Sequence, residues 1–120
     1  MGLRFTRITA FLWTLCIIVA TLTRGSEIGQ LLLTVGALHS TVHLCVFGVF
    51  GVLLAASFRR SGIEIRILAL VFGIALGASA ELYEHLAFGN EMEYADVVTN
   101  TIGFLVGFAV GEVLQRRARD

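Results

Sequence analysis

Proline is absent from all 120 residues, and so is lysine. Without proline, nothing in the sequence calls for a sharply kinked helix. All nine basic residues are arginines, balanced by nine acidic ones, so the formal net charge is zero. That balance implies no general nucleic-acid partner, which would call for a basic surface. Charged residues make up only 15% of the chain, and there are two cysteines. Cys16 and Cys45 each fall inside an apolar run, which argues against a disulfide framework and favours buried, inert thiols. No linker, low-complexity tract or second domain is visible.

What is present is apolar surface. Hydrophobic residues fill 57% of positions, against roughly half in soluble domains. Mean hydropathy is +0.85, and only lipid can accommodate that much apolar surface on so short a chain. A bilayer crossing takes about 20 mostly apolar residues. The runs predict an all-α polytopic membrane protein, one domain over residues 1–120, with four transmembrane helices in a bundle at 8–23, 37–58, 64–86 and 95–114. The first run has the charged start of a signal peptide but no convincing cleavage site, so it reads as a retained span. The surplus apolar stretch at 27–36 is assigned to an interfacial or re-entrant segment.

The arginines orient the bundle. Four spans put both termini on one side. Arg4, Arg7, Arg59, Arg60, Arg66, Arg116, Arg117 and Arg119 fall on that side, and only Arg24 on the other. The positive-inside rule then makes the termini cytoplasmic, in a plasma membrane. His39, His43, Glu81, Glu84, His85, Asp96 and Asn100 follow as a polar group at the outer face, drawn from three spans.

Glycine stripes lead into that group. On the fourth span Asp96, Asn100, Gly103, Gly107 and Gly111 share one helical face, and on the third Ala69, Gly73, Gly77, Glu81 and His85 recur every fourth residue. Small residues at that spacing let helix backbones approach closely in lipid, a glycine-zipper-like seam. The two stripes are expected to bring the third and fourth spans together. Glu81 would then face Asp96 and Asn100.

Each polar residue also has a plainer reading. Asp96 can cap the fourth helix and complement its dipole. Glu84, His85, Glu91 and Glu93 can be solvated at the interface. Glu81, His43 and Asn100 resist that reading, because ionisable and amide groups inside a span are costly and point to function. Histidine and carboxylates can ligate metals, but no HExxH or inverted zinc motif occurs, so no metal or other cofactor is expected. No Ser–His–Asp arrangement is apparent either, and none of these patterns names a reaction.

The residues Glu81, Leu82, Tyr83 and Glu84, followed by Asp96-x-x-x-Asn100-x-x-Gly103-x-x-x-Gly107, resemble the VanZ-like membrane proteins. His43 with Phe47 and Gly51 is similar to that family's histidine-bearing second helix, and the resemblance spans roughly 37–111. This chain differs in having Glu84 where the family often has Gln, and His39-Ser40 where it has an Asp-Lys pair. The family is named for resistance to teicoplanin, a lipoglycopeptide acting at the outer envelope. The resemblance therefore implies an outward-facing site with Glu81, Asp96 and Asn100 as its polar floor, handling an amphipathic or lipid-linked molecule. A small proton-coupled transporter working through Glu81 and His43, and a structural or partner-binding bundle, are the alternatives.

The orientation is testable by labelling. A cysteine at Asn90→Cys is expected to react with a membrane-impermeant maleimide added outside intact cells, and one at Ser61→Cys is not. The reverse pattern overturns the assignment of the termini.

Overall fold

The computed structural model describes residues 2–23, 38–89 and 94–118. Within them lie four helices and no strand: α1 (Leu3–Thr23), α2 (Leu38–Ser57), α3 (Ile63–Phe88) and α4 (Tyr94–Arg117). All four are long and apolar enough to cross a membrane, and they form one all-α bundle. The proposed segment at 27–36 lies outside the described residues.

α1, α3 and α4 overrun the expected spans, for local reasons. α1 begins at Leu3 instead of residue 8, because arginine is a good helix former and nothing in residues 3–7 interrupts the run. Arg7 Nε donates to the Ser57 carbonyl at 3.1 Å, fastening the start of α1 to the end of α2. α3 stops at Gly89, whose φ of 67° is left-handed and whose N–H closes the helix on the His85 carbonyl. Glycine adopts that conformation without a Cβ clash, which sets the boundary there.

The closest packing is between α2 and α4, not between α3 and α4. A Cβ built on Gly107 would lie 2.0 Å from the Gly48 carbonyl oxygen, and one on Gly103 2.6 Å from that of Leu44. Gly111 sits against Val52 and Ala55, and Gly51 in turn against the backbone of Phe104 and Phe108. The fourth-span stripe therefore meets the second span. The third-span glycines accommodate side chains instead: a Cβ on Gly73 would lie 2.0 Å from the Phe104 ring, and Gly77 lies against Asn100 and Phe47.

Around this contact an aromatic core assembles. Phe104 and Phe50 are fully buried, with ring centroids 5.4 Å apart, and Phe50 meets Phe47 edge-on at 6.2 Å. α1 joins the bundle through Ile17 and through Trp13, whose Nε1 donates to the Val46 carbonyl at 3.0 Å. Most remaining large apolar side chains face outward, as a lipid-facing surface requires. Cys16 and Cys45 are among the outward-facing residues, contrary to the expectation of burial. Their neighbours Ile17 and Phe47 take the inward positions, and a thiol meets no penalty against lipid.

The end of the bundle opposite the polar group is fastened by arginines. Arg66 forms a two-pronged ion pair with Glu112, with Nε to Oε1 at 3.1 Å, tying α3 to α4. Arg59 donates to the Gln115 side chain at 3.3 Å, tying the end of α2 to α4.

The backbone contact gives a sharp contrast between two glycines on one interface. Gly107→Ala, and more so Gly107→Leu, must push α4 away from Gly48, at a cost of about 1–3 kcal/mol or more. Gly48→Ala meets nothing closer than 3.7 Å and removes an unfavourable helical glycine, so it should be neutral or slightly stabilising. Reversible unfolding in mixed detergent measures both. Equal effects would mean that the two backbones are not in contact.

Candidate functional site

Alternating helix direction brings the start of α2, the end of α3 and the start of α4 to the same end of the bundle. His43 lies in the second turn of α2, Glu81 two turns before the end of α3, Asp96 in the first turn of α4 and Asn100 one turn further in. Glu81 and Asp96 are each only 3% exposed and Asn100 is 1% exposed, while His43 is partly buried.

These side chains converge. One ligand-type atom from each of His43, Glu81 and Asp96 lies within 4.8 Å of the others. His43 Nδ1 is 2.7 Å from Asn100 Oδ1. An amide oxygen can only accept, so in this contact Nδ1 is the donor, and in the neutral Nδ1–H tautomer Nε2 is the ring's acceptor atom. The amide nitrogen of Asn100 is buried and has no hydrogen-bond partner among the described residues.

The glycine contacts set this geometry. Gly103 on Leu44 fixes the register of α4 on α2, with His43 one residue before Leu44 and Asn100 one turn before Gly103. Gly77 then leaves room on α3, because a Cβ there would come within 3.2 Å of the Asn100 Cβ. Asp96, in the first turn of α4, is also favoured by the positive end of the helix dipole.

Two members of the sequence-based group stand apart from the three-residue cluster. His85 is exposed, whereas Glu84 is buried. Helical arithmetic explains both. His85 is twelve residues beyond Gly73 and has drifted about 120° around the helix, while Glu84, seven beyond Gly77, returns to within about 20°. The His39 side chain and residues 90–93 of the acidic turn lie outside the described residues.

The arrangement brings two buried carboxylates and a partly buried imidazole within reach of one another. Such a set can hold a proton, a cation or a hydroxyl- or ammonium-bearing group. Comparisons with known protein families, curated proteins and solved structures return no match to this chain.

Asn100→Ala would leave the partly buried Nδ1–H of His43 without its acceptor, a loss of about 1–3 kcal/mol. His85→Ala, on the exposed face, should leave stability unchanged. Unfolding of both variants in detergent checks this, and equal stabilities would remove Asn100 from the centre of the cluster.

Proposed function

We propose that the chain is a VanZ-like integral protein of the plasma membrane, with cytoplasmic termini and an outward-facing site for the polar head of an amphipathic or lipid-linked envelope molecule. The observation that carries this reading is the burial of Glu81, Asp96 and Asn100 beside His43 at one end of a lipid-facing bundle. Ionisable groups at such depth are costly, and a purely structural bundle has no use for them. The apolar residues around the same end, among them Leu82, Leu86, Val98 and Ile102, are exposed and offer a tail-binding surface continuous with lipid. An amphipathic molecule lying at the hydrocarbon edge would satisfy both at once.

Charge narrows the class of head group. Acceptors dominate the cluster, so a head rich in hydroxyl or ammonium donors is favoured over a bare phosphate. Teicoplanin is a suitable probe, being a lipoglycopeptide. Native mass spectrometry of the detergent-solubilised protein is expected to retain it. Asp96→Asn or Glu81→Gln should weaken retention by about tenfold, as expected for the loss of a charge-assisted hydrogen bond. Equal retention by folded parent and variants would dismiss this site.

A proton-coupled transporter is the second reading, favoured by three titratable side chains within mutual reach. In proteoliposomes under an imposed pH gradient, the head-group reading predicts no proton flux above that of empty vesicles. Flux abolished by Glu81→Gln would favour the carrier.

A further inference from the structure

We infer that His43, Glu81 and Asp96 form a binding site for one divalent transition-metal ion of the Zn²⁺ type, with Asn100 as its positioning residue. The inference rests on the cluster alone and does not depend on the head-group reading. Its first support is the donor set. One imidazole and two carboxylates from three helices offer ligand atoms within 4.8 Å of one another. Ligands around a tetrahedral zinc ion stand about 3.3–3.6 Å apart at bond lengths of about 2.0–2.2 Å, so modest side-chain rotation closes the shell. Three protein ligands also leave a fourth position open. The imidazole favours zinc-like ions over Mg²⁺ or Ca²⁺, which prefer oxygen alone.

The second support is Asn100, an independent observation. Metal-ligating histidines characteristically donate their remote ring N–H to a carbonyl or carboxylate, which fixes the tautomer. His43 Nδ1 to Asn100 Oδ1 at 2.7 Å has the form of that contact, and in the Nδ1–H tautomer Nε2 is the atom that would ligate the ion. The amide nitrogen of Asn100 is buried, 1% of the residue is exposed, and no acceptor among the described residues meets it.

Charge gives the third support. A divalent cation with two carboxylates and a neutral imidazole makes a site of zero net charge, the form least penalised near hydrocarbon. The absence of zinc motifs from the sequence does not weigh against this. Those motifs place two or more ligands on one segment, and here each ligand comes from a different helix.

The test uses the full chain, purified in detergent, stripped with chelator and titrated with Zn²⁺. Expected are one ion per chain, a raised thermal midpoint, and an X-ray absorption shell of nitrogen and oxygen with one imidazole. Glu81→Gln and Asp96→Asn should each weaken binding at least about tenfold, and Asn100→Leu by about 10–100-fold. A Cys16→Ser/Cys45→Ser double variant should bind as the parent does. Absence of uptake by the folded parent overturns the site, whatever the variants do. So does sulfur in the shell, or binding that survives Asp96→Asn in a folded protein.

Discussion

The contact on which the rest of the structure depends is the one between the backbones of Gly107 and Gly48, where not even a methyl group fits on Gly107. Lipid tails are as apolar as leucine, so helices in a bilayer gain little by hiding apolar side chains from lipid. They gain from close van der Waals approach, and side-chain-free surfaces permit the closest. Gly103, Gly107 and Gly111 give α4 such a surface, and Gly48 and Gly51 let α2 meet it. The register fixed there carries upward by rigid helix to the polar end, where His43 and Asn100 meet at 2.7 Å.

The two ends of the bundle solve the problem of buried polarity differently. At the arginine end, charges meet fixed partners: Arg66 with Glu112, Arg59 with Gln115, Arg7 with a backbone carbonyl. These contacts join neighbouring helices and account for their own presence. At the other end, two carboxylates and an imidazole converge with an amide that keeps an unanswered donor. Satisfied polar networks stiffen a fold, and a buried donor left without an acceptor calls for an explanation, of which a ligand is one. The asymmetry between the ends is the physical basis for placing function at one of them.

Much of this was legible in the sequence, because span length and composition are set by the bilayer itself. Four helices, and the depth shared by His43, Glu81, Asp96 and Asn100, follow from counting apolar residues between charges. Helix partnership did not follow. The long stripes on adjacent spans suggested that α3 packs its glycines on those of α4, yet α2 takes that place with Gly48 and Gly51, too short a pair to stand out. His85 seemed to continue a stripe that helical drift carries to the exposed face, while Glu84 returned inward. The outward-facing cysteines show the same limit: an apolar run identifies a span but not which of its faces meets lipid. The pairing of Arg66 with Glu112 joins residues 46 positions apart and leaves no local signal.

The account's central claim is that the α2–α4 backbone contact delivers His43 to Asn100. Solid-state NMR in lipid bilayers, on protein labelled with ¹⁵N-histidine and ¹³C-asparagine, measures it most directly. A through-space correlation between His43 Nδ1 and the Asn100 side-chain carbonyl carbon is predicted, with ¹⁵N shifts reporting a protonated Nδ1. It should weaken or vanish in Gly107→Leu. A His43 ring that shows no contact with Asn100, or one unchanged by Gly107→Leu, would contradict the account.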